Sequence, residues 1–296
     1  MFWLNAKIVS NKRMKDNHFL CSLAAPAISK EARPGQFVNI KAGDTTGPLL
    51  RRPLSIHRVI GPRVEILYEV LGQGTQMLSR QKPGEFLDII GPLGNGFDYT
   101  SPRHHVTTSP VLVAGGIGVA PLLFLAERLA CSVEREAHRK ARASKLSAKR
   151  YPCLTGRQAL NAVVLIGAKT KNHILCEAEF RKLGCEVKVA TDDGSKGFRG
   201  YVSDLLKHVL STIDYRLSTI YACGPKPMLK EIARLSIAHA IPAQISLEEH
   251  MSCGFGACLG CVVKVRQAAI KGKSEFEYVR VCKEGPVFNA QHVVWE

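Results

Sequence analysis

Short apolar runs separated by turn signals dominate the first hundred residues. Such runs lie at residues 37–40, 64–70 and 86–90. Pairs of proline and glycine interrupt the pattern at residues 34–35, 61–62, 83–84 and 91–92. Evenly spaced strands with this punctuation are typical of a small antiparallel barrel. The pattern therefore predicts a β-barrel domain over residues 1–104.

A different pattern begins at residue 111, where apolar strands alternate with amphipathic helices. This alternation predicts a parallel α/β sheet, and we assign residues 105–242 to a nucleotide-binding domain. Beyond it the chain is rich in cysteine and glycine and has only short strand-like runs. Residues 243–296 are expected to form a small domain organised around something other than a large apolar core. The predicted fold class is thus multidomain: an antiparallel β-barrel, a parallel α/β domain and a small C-terminal domain.

Charge changes this picture at one place. The chain of 296 residues has a formal net charge of +16, and residues 132–158 hold eight Lys or Arg against two Glu. This stretch is poor in apolar residues, so we interpret it as a solvated basic insertion in the second domain; an acidic partner surface is the alternative. No apolar run is long enough to span a membrane, and the N-terminal apolar start is broken by Asn5 and Lys7. We expect a soluble, cytoplasmic protein.

Four of the ten cysteines form an organised set near the C-terminus: Cys253, Cys258, Cys261 and Cys282. Their spacing, C-x4-C-x2-C followed by a distant fourth cysteine, is that of plant-type [2Fe–2S] ligands. Gly254, Gly256 and Gly260 let the backbone curl closely and leave amides free to point at sulfide. A structural zinc site also uses four cysteines but favours C-x2-C pairs, so the spacing favours iron–sulfur.

A glycine-rich turn in the second domain indicates a nucleotide site. Residues 111–121 read as a strand, then glycines, then a helix, an arrangement that aims amides at a phosphate. Gly116 and Gly118 are present, but Pro121 stands where the dinucleotide fingerprint has its third glycine. A purely structural turn is the alternative. Loops at 191–200 and 221–228 also follow strand patterns, where ligands gather at the edge of a parallel sheet.

Two acidic residues and two barrel motifs add weaker signals. Asp192 and Asp193 would favour ribose hydroxyls over a 2′-phosphate, hence NAD over NADP, or they are plain turn residues. Residues 49–59 combine Arg52 with the Ser55 hydroxyl on an extended run, which a barrel edge with exposed arginines would explain as well. Residues 71–78 offer a second phosphate cradle before a short helix.

The order of these motifs resembles a known family over nearly the whole chain. The motifs are RRPLSI, GQGT, GPLGNGF, GGIGVAP, TDDGS, CGPKPM, EEHMSCGFGACLGC and VCKEGPVFNAQHVVW. Together they closely resemble the electron-transfer subunits of type 1B dihydroorotate dehydrogenases, which belong to the ferredoxin reductase-like superfamily. The last two motifs are the most specific, because general ferredoxin reductases lack a C-terminal cluster after the CGP loop. The basic insertion departs from the family's pattern, because it lengthens the connection after the first helix of the nucleotide-binding domain.

The resemblance implies cofactor sites at particular residues. For FAD these are Arg52, Pro53, Leu54, Ser55, Leu67, Tyr68, Glu69, Gly74 and Thr75. The four cysteines above match the [2Fe–2S] ligands. For NAD the matching GGIGVAP and CGP loops supply Gly115, Gly116, Gly118, Pro121, Gly224 and Pro225, and the residue chemistry described above adds Asp192 and Asp193. The resemblance also places Cys223 near the hydride path, as the one residue with a catalytic role.

The implied function is electron transfer in pyrimidine biosynthesis. A separate FMN-containing catalytic subunit oxidises dihydroorotate, and electrons pass through the [2Fe–2S] cluster and FAD to NAD+ in this chain. Two catalytic and two electron-transfer subunits are expected to assemble, with no nucleic-acid or membrane partner. One alternative is the small subunit of an NADH-dependent sulfide or ferredoxin:NADP oxidoreductase. Another, motivated by the net charge and the cysteines, is a zinc-stabilised nucleic-acid-binding protein.

Overall fold

The computed structural model describes residues 1–43, 47–100, 109–143, 160–212, 217–266 and 276–295, with side chains in the third range described up to residue 132. The strands are β1 Phe2–Lys15, β2 His18–Ala24, β3 Phe37–Ile40, β4 Arg52–Ile60, β5 Arg63–Glu69, β6 Phe86–Leu93, β7 Ser109–Gly115, β8 Val163–Ala168, β9 Glu186–Thr191, β10 Phe198–Arg199, β11 Leu217–Cys223, β12 Ala243–Ser246, β13 Val262–Arg266, β14 Phe276–Arg280 and β15 Val287–Asn289. The helices are α1 Pro26–Glu31, α2 Gln73–Arg80, α3 Val119–Ala143, α4 Glu177–Lys182, α5 Val202–Thr212 and α6 Lys226–Ala238, with 3-10 turns at Gly116–Gly118 and Lys171–His173.

The N-terminal strands close into a six-stranded antiparallel barrel in the order β1-β2-β5-β4-β3-β6. The pairing of β1 with β6, from Phe2 opposite Gly91 to Lys7 opposite Phe86, closes the ring. Alternate side chains point inward, so Ile40, Ile66 and Ile89 are fully buried in one apolar cluster. The predicted barrel is confirmed.

The second sheet has seven strands in the order β10-β9-β8-β7-β11-β12-β15. All its neighbours pair in parallel except β12 and β15, which pair antiparallel. Apolar side chains bury both faces of the sheet, which explains why β7 and β8 read as continuous apolar runs without alternation. The predicted parallel α/β sheet is confirmed.

The C-terminal segment joins this sheet at two places. β12 begins at Ala243, where the sequence puts the start of the small domain, and pairs in parallel with β11. The chain then leaves the sheet, forms the β13–β14 hairpin and the cysteine loop, and returns as β15. The cysteine loop is therefore inserted between two neighbouring strands of the sheet, where Ala243 and Ile245 of β12 are buried in the apolar core and Phe288 of β15 is partly buried against it.

A seam between α3 and β4 holds the barrel against the sheet. Phe124 of α3 packs in the barrel core, and His57 Nδ1 donates to the carbonyl oxygen of Ala120 at 3.0 Å. Arg58 forms a part-buried ion pair with Glu127, with Nη2 2.6 Å from Oε1. These contacts fix the relative positions of the two units, and the cavities described below lie where the units meet.

The basic insertion begins within α3. The helix runs to Ala143, so it includes the first twelve residues of the insertion, 132–143. The rest of the insertion, 144–158, lies outside the described residues. Within the described part of the chain, no helix is both long and apolar enough to cross a membrane.

Candidate cofactor sites

A cavity of about 630 Å³ opens between the barrel and the segment that leads to the cysteines; we call it the barrel cavity. Its lining includes every residue that the sequence assigns to FAD: Arg52, Pro53, Leu54, Ser55, Leu67, Tyr68, Glu69, Gly74 and Thr75. Strands β4 and β5 and helix α2 bring these residues to one side. Residues 246–251, which run from the last residue of β12 toward the cysteines, also line the cavity.

Arg52 and Gly74 are in close contact in the lining of the barrel cavity. A Cβ atom built on Gly74 would lie 2.4 Å from Arg52 Nε, so the guanidinium lies directly against the first turn of α2. The Thr75 hydroxyl accepts from the amides of Leu71 and Gly72, at 3.1 and 3.3 Å, and so fixes the start of that helix. A helix N-terminus beside a guanidinium is an anion site, and the cradle exists only because residue 74 has no side chain. These residues fit the pyrophosphate of a dinucleotide.

A second cavity, of about 760 Å³, lies at the carboxyl ends of β7, β8, β9 and β11; we call it the sheet cavity. Five of the eight residues that the sequence assigns to NAD line it: Gly115, Gly116, Asp192, Gly224 and Pro225. Gly116 has φ +54° and Gly224 has φ +155°, conformations that favour glycine. Backbone can thus approach a ligand closely at two neighbouring strand ends.

The other three residues assigned to NAD line neither cavity as described. A Cβ on Gly118 would lie 2.1 Å from the carbonyl oxygen of Cys223, so this glycine permits close packing of two loops. Pro121 is buried in the first turn of α3. The Asp193 carboxylate accepts from the amide and the hydroxyl of Ser195, at 3.0 and 2.7 Å, which lowers its pKa and ties it to the turn.

Cys223, the residue assigned to the hydride path, ends β11 and is 1% exposed. It lines neither cavity. Burial raises the pKa of its thiol, against a hydrogen bond with Ser246, and Ser246 lines the barrel cavity. The thiol is therefore neutral and lies one residue behind the cavity wall.

Three residues line both cavities: Glu69, Ile117 and Glu248. Asn17 Nδ2 donates to Glu69 Oε1 at 2.9 Å and fixes that carboxylate. Glu248 is accessible from the cavities but surrounded by protein, and this desolvation raises its pKa. The two cavities are thus separated by the thickness of a few side chains.

Sequence reasoning missed Ile117, Glu248 and His18. Glu248 follows a strand at the carboxyl edge of the sheet, and this position could have identified it from the sequence. His18 begins β2 opposite Glu69, lines the sheet cavity and is 3% exposed. Its Nδ1 atom has no hydrogen-bond partner among the described residues, and Nε2 lies 3.9 Å from Glu69 Oε2. Only the barrel pairing brings it to the cavity.

The four C-terminal cysteines are arranged as two pairs. Cys253 Sγ and Cys258 Sγ lie 3.4 Å apart and are half-buried. Cys261 and Cys282 are fully buried, and the Cys282 amide donates to Cys261 Sγ at 3.5 Å. Among the described residues, no point is surrounded by three or more His, Cys, Asp or Glu side chains suited to a single ion. Two thiol pairs match a cluster of two irons, each with two protein ligands.

The first pair lies in a loop whose amides point at sulfur. Burial raises the pKa of Cys253, but the amides of Cys258, Phe255 and Ala257 outweigh it and hold the pKa at about 6. The same amide donors would also stabilise the Cys253 thiolate when it binds a metal.

Glycine makes this loop possible. Gly254 and Gly256 have φ +76° and +91°. A Cβ on Gly254 would lie 2.3 Å from Asn39 Nδ2, the same atom that donates to the Cys253 carbonyl oxygen at 2.9 Å. The cysteine loop is therefore docked directly on barrel strand β3.

Two family models match the chain. Residues 248–294 match the iron–sulfur cluster binding domain of dihydroorotate dehydrogenase B, and residues 112–234 match an oxidoreductase NAD-binding domain. Barrel, sheet and cysteine loop together define a ferredoxin reductase-like oxidoreductase with an added iron–sulfur domain. A solved chain of this class, from the NADH-dependent reduced ferredoxin–NADP oxidoreductase, has a TM-score of 0.71 and 27% identity, covering 98% of this chain and 90% of that one.

Curated relatives narrow the class to one family. The dihydroorotate dehydrogenase B (NAD(+)) electron transfer subunit of Desulforamulus reducens is 39% identical, covering 99% of this chain and 98% of the relative. The subunit of the same name from Caldanaerobacter subterraneus subsp. tengcongensis is 36% identical over the full length of both. The chain belongs to the family of electron transfer subunits of dihydroorotate dehydrogenase B.

The predicted family, fold class and oxidoreductase function are confirmed by these matches. The iron–sulfur cluster and NAD agree with the two family models, and FAD agrees with the reductase fold. As an electron transfer subunit, the chain works with a catalytic partner.

Proposed function

We propose that this chain passes electrons from a dihydroorotate-oxidising partner to NAD+ through a [2Fe–2S] cluster and FAD. One observation carries the proposal. The segment that leads into the cysteine loop forms a wall of the barrel cavity, and the barrel cavity shares Glu69, Ile117 and Glu248 with the sheet cavity. Three candidate cofactor sites therefore lie in series, with the barrel cavity in the middle.

The order suits the chemistry that these groups supply when bound: nicotinamide exchanges two electrons as hydride, the cluster carries one electron, and flavin does both. The chain's residues bind and orient. Arg52 and the first turn of α2 would hold the FAD pyrophosphate, while β4 and β5 supply the remaining residues assigned to FAD. Cys253 and Cys258 would hold one iron, and Cys261 and Cys282 the other.

In the sheet cavity, the backbone of Gly115, Gly116 and Gly224 would face the cofactor phosphates. Asp192 lies at the end of β9, where its carboxylate would accept from ribose hydroxyls and repel a 2′-phosphate. Gly118 and Pro121 act on this site by shaping the loop and the helix that follows it. We assign Cys223 a packing role beside the hydride path, where its thiol contacts Ser246.

Exposed apolar residues on the cysteine loop suit a docking site for the partner. Phe255 and Leu259 lie in it and are 44% and 72% exposed. We propose that an FMN-containing catalytic subunit covers them, that two copies of each subunit assemble, and that the complex is cytoplasmic. We also keep domain limits near residues 104 and 242 as a proposal, with β12 and β15 as strands shared between the last two domains.

A second candidate follows from the similarity to the NADH-dependent reduced ferredoxin–NADP oxidoreductase chain. In that case the partner would be a larger flavin and iron–sulfur subunit. Co-purification separates the two: a partner that carries FMN and oxidises dihydroorotate supports the first candidate, and one with several iron–sulfur clusters supports the second.

The test of the cofactor series is an anaerobic absorbance spectrum of the chain, with flavin and iron quantified, before and after NADH is added. We expect one FAD and two irons per chain and bleaching of both chromophores by NADH. A colourless protein that binds stoichiometric zinc would overturn the proposal. Bleaching of flavin alone would place the cluster outside the path.

A further inference from the structure

Arg280 joins the cysteine loop to the strand that precedes Cys282. Its Nη1 atom donates to the carbonyl oxygen of Gly256 at 2.7 Å. Its Nε and Nη2 atoms donate to the two carboxylate oxygens of Glu284, at 3.0 and 2.5 Å, and the Glu284 carboxylate also accepts from the Arg280 amide at 2.8 Å. The guanidinium is thus held in a fixed orientation by two hydrogen bonds to one carboxylate.

The peptide unit whose carbonyl accepts from Arg280 also faces the sulfur of Cys253. The Gly256 carbonyl shares its peptide unit with the amide of Ala257, and that amide is one of the donors to Cys253. The guanidinium therefore pulls on one end of a peptide whose other end donates to a thiolate. Hydrogen bonds in such a chain polarise and strengthen one another.

Charge acts in the same direction. Arg280 precedes Cys282 by two residues and its guanidinium contacts the loop that carries Cys253 and Cys258, so its positive charge lies close to both thiol pairs. The stem of Lys283 packs across Gly256, where a Cβ would lie 2.6 Å from Lys283 Cδ. Arg280 and Lys283 are two cations that contact the loop, and Glu284 is the counter-charge to Arg280.

We propose that Arg280 is a positioning residue for the iron–sulfur cluster: it orients the Gly256–Ala257 peptide toward Cys253, and its charge, partly neutralised by Glu284, raises the cluster's reduction potential. This inference rests on the proposed cluster site. Reduction adds one negative charge, so a nearby cation and stronger N–H donors stabilise the reduced form, and a nearby carboxylate opposes it. The two partners must therefore have opposite effects.

The experiment is an anaerobic redox titration of the full chain with its FAD, followed by the electron paramagnetic resonance signal of the reduced cluster. Arg280→Gln should shift the potential to more negative values, and Glu284→Gln to more positive values. The double variant should return toward the wild type. Arg234→Gln is the matched control, because Arg234 forms a similar surface pair with Glu231 on α6 and should produce no shift.

Iron content separates the possible failures. A wild-type chain without two irons would contradict the proposed cluster site itself. Full iron content with no shift, or with shifts of the same sign in the Arg280 and Glu284 variants, would overturn the inference and leave the cluster site standing. If Arg280→Gln loses iron, Glu284→Gln decides alone, since a positive shift supports the inference and an unchanged potential refutes it.

Discussion

The barrel cavity and the sheet cavity have similar volumes, about 630 and 760 Å³, but they are built in different ways. The barrel cavity takes its assigned residues from two strands and one short helix that are contiguous in sequence, at 52–55, 67–69 and 74–75. The sheet cavity takes its assigned residues, at 115–116, 192 and 224–225, from the ends of three strands spread over more than a hundred positions. Residues that are close in sequence are positioned by their own local structure, whereas residues at separate strand ends are brought together only by the pairing of the sheet.

The two cavities also use glycine for different purposes. In the barrel cavity, Gly74 leaves room for the side chain of Arg52. Beside the sheet cavity, Gly118 leaves room for the backbone of the neighbouring loop, which carries Gly224 into that cavity. A side chain can move away at modest cost, but a backbone carbonyl cannot, so the sheet cavity should be the less tolerant of the two.

The largest expected effect is that of Gly118→Ala. The added Cβ would meet the Cys223 carbonyl oxygen, so we expect the free energy of unfolding to fall by about 3 kcal/mol and NAD binding to weaken. Thermal unfolding and titration with NAD measure both. Gly116→Ala is the control: its Cβ meets nothing within 4 Å, and only its positive φ costs about 1 kcal/mol. Equal losses in the two variants would contradict the backbone argument.

Gly74→Ala should act on FAD alone. The new methyl group would displace the Arg52 guanidinium from the helix start, so we expect FAD to bind about thirtyfold more weakly, or about 2 kcal/mol. The ratio of flavin to protein after dialysis measures this. In Gly72→Ala the same methyl group meets nothing within 4 Å and should leave flavin content unchanged. Loss of flavin from both variants would show that Arg52 is not the cause.

The seam between the two units should respond to pH. Burial lowers the pKa of His57 to about 4, from 6.5 in the unfolded chain, although the Ala120 carbonyl opposes the shift. The unfolded state then binds the proton more readily below pH 6.5, so stability falls as pH drops toward 4. We expect a loss of about 2 kcal/mol between pH 7 and pH 5. Denaturant titrations should show this pH dependence weakened in His57→Gln; an unchanged slope would exclude His57 as its source.

The smallest effect concerns the choice between NAD and NADP. Asp192 lines the sheet cavity, whereas the Asp193 carboxylate is bonded to Ser195. Asp192→Ser should therefore reduce the preference for NADH over NADPH about fivefold, or about 1 kcal/mol, as expected when one exposed charge repulsion is removed. Dissociation constants for both cofactors provide the measurement. Asp193→Ser should leave the ratio unchanged, and a larger change there would reverse the assignment.

Much of the fold followed from pattern alone. Turn signals and alternation predicted the barrel, and continuous apolar runs between amphipathic helices predicted the parallel sheet. The pattern could not show that β12 and β15 return to that sheet, because strands of four and three residues are too short to carry a period. The cysteine set was readable because its ligands are close in sequence. His18 was not, because only the pairing of β2 with β5 places it at a cavity.

The docking of the cysteine loop determines how electrons can travel. The loop leaves the sheet from β12, returns to it as β15, and touches the barrel through Asn39 and, at residues 94–95, through Gly285. Within the described residues, the cysteine loop is therefore held at both ends and on one side in a single position against the barrel. Electrons would then pass between the thiols and the barrel cavity over a constant distance, without movement of the loop. The rate of this transfer should therefore not depend on solvent viscosity.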